Sequence, residues 1–122
     1  MQHPRHIIVA DDDYGTRVLV RRTIFTHHTS VIVSTVESGQ AALTAYETVG
    51  ADLIITNHAM PSMDGFALTH AVRSHNPTTP IVMLASEPSI EPDARQAGVT
   101  HFLEKPGGIA QLPNIITQLF EQ

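Results

Sequence analysis

Along this chain, short runs of uninterrupted apolar residues alternate with longer stretches in which apolar positions recur every three or four residues. His6-Ile7-Ile8-Val9-Ala10 is such a run and stops abruptly at Asp11-Asp12-Asp13, as a strand buried on both faces does. Leu53-Ile54-Ile55-Thr56 and Ile81-Val82-Met83-Leu84-Ala85 read the same way, as central strands. Val31-Ile32-Val33-Ser34-Thr35-Val36 is β-branched but half polar, which suits an edge strand. The short run His101-Phe102-Leu103-Glu104 is a second edge candidate.

The intervening stretches carry helical periodicity. In the first, Val20 and Ile24 share one face, with Arg17, Arg21 and Arg22 on the other, which reads as a solvated side. Ser38-Gly39 can cap the second, whose inward positions are Ala42, Tyr46 and Val49 and whose end is Gly50. Asp64 can cap the third, with Leu68, Ala71 and Val72 inward and Asn76-Pro77 as the stop. Two prolines, Pro88 and Pro92, delay the fourth helix to about Pro92 or Asp93, because proline is excluded from a helix interior. Leu112, Ile115, Ile116 and Leu119 follow the i, i+3, i+4, i+7 rule in the last, where Pro113 is tolerable only in the first turn.

Strands alternating with helices imply right-handed crossovers and a parallel sheet covered on both faces. In such a sheet, chemistry belongs at the carboxyl ends of the strands near the topological switch point. Four places follow: Asp11 to Asp13 after the first strand, Asn57 after the third, Ala85-Ser86 after the fourth, and Lys105-Pro106 after the fifth.

Composition narrows the classes. A chain of 122 residues is long enough for one compact domain with a real core, and the reading is a single domain over 1–122. No apolar run approaches the roughly 20 residues that span a bilayer, and Met1-Gln2-His3-Pro4-Arg5 is no secretory signal. Cysteine is absent, which suits a reducing cytoplasm, so a cytoplasmic setting is expected. The formal charge of −5 argues against nucleic-acid binding. Eight histidines lack the i, i+4 spacing of a helical metal site, as His27-His28 and His70 with His75 illustrate. His58 is the one neighbour of the strand ends that could touch a pocket there. No nucleophile–His–acid set can be assembled, so the chain does not read as an enzyme. Lys105 is its only lysine.

The four strand ends resemble those of the response regulator receiver family. Val9-Ala10-Asp11-Asp12-Asp13 followed by Arg17 is similar to its acidic strand end. Asp52-Leu53-Ile54-Ile55-Thr56-Asn57-His58-Ala59-Met60-Pro61-Ser62-Met63-Asp64-Gly65 is similar to its third strand and loop, apart from residue 57. Ala97-Gly98-Val99-Thr100-His101-Phe102-Leu103-Glu104-Lys105-Pro106 is similar to the segment bearing its lysine–proline pair. The resemblance runs over nearly the whole chain. It implies a doubly wound, five-stranded parallel sheet of order 2-1-3-4-5, a flavodoxin-like three-layer sandwich, serving two-component phosphorelay signalling.

It also implies roles. The third-strand aspartate of the family attacks a phosphoryl group, and the acidic pair holds Mg²⁺. The lysine neutralises phosphoryl oxygens, and a hydroxyl after strand four follows the phosphate. Such transfer needs mainly positioning and charge neutralisation. Here the metal ligands would be Asp11, Asp12 and the backbone carbonyl of Ala59, with Lys105 retained. The nucleophile's place holds Asn57, an amide without an anionic oxygen. The switch hydroxyl's place holds Ala85, and Ser86 one residue on points to the opposite side if the strand continues. Phe102 keeps the switch aromatic without a phenol. Asn57 fits an amide that hydrogen-bonds in the pocket, drift after catalysis was lost, and an engineered exchange of the aspartate alike.

The resulting expectation is a phosphorylation-independent pseudo-receiver, binding Mg²⁺ weakly if at all and acting through a protein partner: a histidine kinase, an effector domain or an output protein. Two rivals stand beside it: a receiver phosphorylated at Asp11, Asp12 or His58, and a flavodoxin-like small-molecule module. The Lys105-Pro106 bond is expected cis, at a cost of about 0.5–1 kcal/mol, with the ammonium near Asp11 or Asp12.

Overall fold

Apolar residues on both faces of a strand demand two cores, and the computed structural model, which describes residues 3–121, has two. Met1 and Gln2 of the N-terminal stretch read above lie outside the described residues. The elements run β1 (His6–Ala10), α1 (Tyr14–Phe25), β2 (Ile32–Val36), α2 (Gly39–Val49), β3 (Leu53–Thr56), α3 (Gly65–His75), β4 (Ile81–Ala85), α4 (Glu91–Ala97), β5 (His101–Glu104) and α5 (Leu112–Phe120). Short 3-10 turns, Pro88–Ile90 and Gly107–Gln111, precede α4 and α5. The strands form one parallel sheet of order β2-β1-β3-β4-β5, as expected.

Side chains alternate along each strand, so Ile7, Val9, Leu53, Ile55, Val82 and Leu84 face one side, where Val20 and Ile24 of α1 and Leu112 and Ile116 of α5 close over them. Ile8, Ala10, Ile54, Ile81, Met83 and Ala85 face the other, under Ala42 of α2, Leu68 and Val72 of α3 and Ala94 of α4. The three central strands are buried on both faces, which explains their unbroken apolar runs.

Three details differ from the sequence reading. Val49, assigned inward, is 71% exposed, because the last turn of α2 overruns the sheet and leaves it lining an open surface cavity with His6 and Ile32. α4 begins at Glu91, so Pro92 sits in its first turn, where a missing N–H costs nothing. Arg17 is not solvated: only 12% of its side chain is exposed, while Arg21 and Arg22 do face water.

Candidate functional site at the carboxyl ends of the strands

The parallel ladder continues one residue past β1, β3 and β5 and thereby fixes the site. The Asp11 N–H donates to the Val36 carbonyl at 3.1 Å, that of Asn57 to Ala10 at 2.9 Å, and that of Lys105 to Ala85 at 2.9 Å. Residues distant in sequence are thus set side by side on rigid backbone. α3 is drawn in close behind: its first residue, Gly65, donates to the His58 carbonyl at 2.7 Å, and a Cβ there would collide with the carbonyl oxygen of Asn57.

Asp11 is 3% exposed, a buried carboxylate that needs partners on both oxygens. Oδ2 accepts from the Lys105 ammonium at 2.8 Å, and Oδ1 accepts from the Asp13 N–H at 2.9 Å. Lys105 also donates to Asn57 Oδ1 at 3.2 Å. Asn57 Nδ2 donates to the Ala59 carbonyl at 2.9 Å and to Asp12 Oδ1 at 3.3 Å. Only this orientation of the carboxamide works, since the reverse would face Nδ2 to the ammonium and Oδ1 to two oxygens. Five of the sequence-predicted residues, Asp11, Asp12, Asn57, Ala59 and Lys105, therefore form one connected network. The Lys105-Pro106 bond is cis.

Ala85 lies at the end of β4 with 1% exposure, while Ser86 is exposed. Phe102 is half-buried and packs on the core that contains Met83 and Ala85. The His58 ring lies against Phe66, with centroids 4.4 Å apart.

Two contributions escaped the sequence reading. Arg17 turns back to the strand end, donating to the Asp11 carbonyl at 2.8 Å and pairing with Glu37 at 3.8 Å. Its signal was its place at the end of the first turn of α1, just after the acidic run that carries the family resemblance. Asp13 is the N-cap of α1, accepting from the Thr16 N–H at 2.8 Å and the Thr16 hydroxyl at 2.7 Å. Those two hydrogen bonds hold its carboxyl below the ordinary value, with smaller help from Lys105 and Arg17.

The chain as a whole matches a known family. The family model for the response regulator receiver domain fits residues 7–117. This chain belongs to that family. The receiver is 34% identical over 126 residues to the transcriptional regulatory protein GlrR of Escherichia coli (strain K12), covering all of the chain and 28% of GlrR. It is 29% identical over 100 residues to the DNA-binding transcriptional regulator NtrC of Klebsiella pneumoniae, covering 80% of the chain and 21% of NtrC. The receiver thus spans about a quarter of the length of these curated relatives. Among solved structures, the chemotaxis response regulator CheY4 of Vibrio cholerae superposes with a TM-score of 0.83 at 29% identity, over 96% of this chain and 99% of that one. The BeF3-activated DrrB receiver domain superposes at 0.87 with 17% identity, over 98% and 100%, a likeness of fold.

Receiver domains generally bind Mg²⁺ at the phosphorylation site, and this donor set can be tested against that ion. Mg²⁺ demands oxygen lone pairs aimed at one point in near-octahedral array. Here Asp12 Oδ1 and the Ala59 carbonyl oxygen both receive a hydrogen bond from one nitrogen, both Asp11 oxygens are already engaged, and an amide stands where a third carboxylate would be. Among the described residues, no group of three carboxylate or imidazole side chains is placed to hold a metal ion. The residues present do not fit the ion.

Proposed function

We propose that residues 1–122 form a pseudo-receiver, a two-component signalling domain that works by protein–protein interaction without being phosphorylated. The observation that carries this reading is Asn57, whose carboxamide stands in the nucleophile's place and spends both ends within the pocket, Oδ1 on Lys105 and Nδ2 on Ala59 and Asp12. A neutral amide oxygen held by an ammonium is no nucleophile toward phosphorus. Ala85 supports the same reading from the output side, because it offers no hydroxyl to follow a phosphate. The domain is then non-catalytic, and its place in the family supports a cytoplasmic setting and a histidine kinase or effector domain as partner.

Neither rival finds comparable support. Asp11 is buried with both oxygens engaged, Asp12 Oδ1 accepts from the Asn57 amide, and the His58 ring lies tilted against Phe66. A cavity of about 540 Å³ lies at the opposite end of the strands, around His6, Val49 and Asp52, not in the crevice a flavodoxin-like ligand would use. Incubation with a small-molecule phosphodonor followed by intact mass tests the proposal. The wild-type protein is expected to gain no phosphoryl group, and Asn57→Asp to gain one. A phosphoryl adduct on the wild-type chain would overturn the pseudo-receiver reading.

A further inference from the structure

The misfit to Mg²⁺ has a specific geometry. An unfilled cation site would leave lone pairs converging on empty space and the acidic loop held apart by repulsion. In this chain, the converging lone pairs of Asp12 and Ala59 meet a partially positive NH₂ group, at 3.3 and 2.9 Å. The loop from Asn57 to Gly65 is thereby tied to the end of β1 by a side chain, with no ion needed. Charge is met only in part: Lys105 pairs with Asp11 at 2.8 Å, while Arg17 donates to the Asp11 backbone carbonyl and pairs with Glu37 at 3.8 Å.

We infer that the Asn57 carboxamide substitutes for the divalent cation, its NH₂ group bridging Asp12 and Ala59 and so blocking metal entry. The inference rests on the pseudo-receiver reading for its functional meaning, and it makes the amide a built-in latch between the end of β1 and the loop after β3. It differs from mere loss of an anionic ligand. If a missing carboxylate were the whole effect, Asn57 would still offer Mg²⁺ a carbonyl oxygen, and alanine at that position would bind the ion no better than asparagine. If the amide is a latch, a metal must first break its hydrogen bonds, and alanine removes that obstacle.

MgCl₂ titration of the wild type, Asn57→Ala and Asn57→Asp, followed by amide NMR at Asp12 and Ala59, separates the two. The expected order of Mg²⁺ affinity is Asp, then Ala, then wild type. Ala should exceed wild type by about fivefold, the factor that one net hydrogen bond represents. Wild-type affinity equal to or above that of Asn57→Ala would overturn the inference. A measurement on the wild type alone guards against a variant that fails to fold. The side-chain NH₂ protons of Asn57 should exchange with solvent more slowly than those of exposed Asn114, and equal rates would overturn the latch. Phosphodonor mass readings are independent of both results, so failure of the latch and failure of the pseudo-receiver reading are distinguishable.

Discussion

Lys105 and Asp11 carry opposite charges into a site where neither can reach bulk water freely, with side-chain exposures of 16% and 4%. Such pairs are strongly felt when broken, because the remaining charge is left without compensation. Lys105→Met, which keeps most of the methylene packing, should therefore cost about 3 kcal/mol in chemical denaturation. Adding Asp11→Asn to the same chain removes the stranded charge and should recover most of that loss. Asp13 gives a pH signature. Its carboxyl is held below the ordinary value of 3.8 chiefly by the two Thr16 hydrogen bonds, so the folded state favours its ionised form. The contribution is complete above 3.8, where the unfolded chain is also ionised, and is lost as pH falls through the lower folded value. Asp13→Asn keeps a capping oxygen but not the charge. Denaturation midpoints of the two proteins should accordingly differ at neutral pH and converge in acid; a gap that persists in acid would show that the charge is not the cause.

The segment after β4 illustrates how an element is shaped by what it is attached to. Pro88 and Pro92 suppress early helix, and the chain makes a 3-10 turn before α4 takes up its seven residues. α4 stops at Gly98, whose φ of +116° is open only to glycine without strain. Arg73 of α3 then clamps that stop, donating to the Gly98 carbonyl from Nε at 3.0 Å and from an Nη at 2.7 Å, and burial pushes its guanidinium pKa down. Gly98→Ala faces both the backbone strain and a Cβ within 2.9 Å of the Arg73 side chain. Its expected cost is about 1–3 kcal/mol, with faster hydrogen exchange at the end of α4. An unchanged stability would mean that this stop contributes nothing.

Across the molecule, the sheet separates two cores but transmits between them, since every central strand belongs to both. Ile116 of α5 is fully buried in one of them. Ile116→Ala should cost about 3 kcal/mol and shift a single cooperative transition seen alike by probes on either face. Two separate transitions would contradict the shared-sheet account. The same architecture bears on signalling. Asn57→Asp should restore a phosphorylatable carboxylate, yet Ala85 still has no hydroxyl to engage a phosphate, and the Ile90 to Gly98 region should show little chemical-shift change on phosphodonor treatment. Partner binding by the wild type should be indifferent to phosphodonor.

Much of this was legible along the chain. Unbroken apolar runs specified central strands because both faces are covered, and order 2-1-3-4-5 followed from the family resemblance those strand ends carry. Asn57, Lys105 and the acidic run were visible as residue types at strand ends, where a parallel sheet exposes its chemistry. What periodicity could not supply was the end of an element and the direction of a long side chain. Val49 obeyed the inward spacing of α2, yet only tertiary packing determines how far the sheet extends beneath that helix. Arg17 occupied a polar position, and its guanidinium turned to the Asp11 carbonyl because the folded strand end presents an acceptor there. Most of all, the hydrogen bonds of Asn57 depend on three segments, at Asp12, Ala59 and Lys105, being brought within reach of one amide. Residue identity established that the position bears no charge; the convergence of β1, β3 and β5 decided what the amide holds instead.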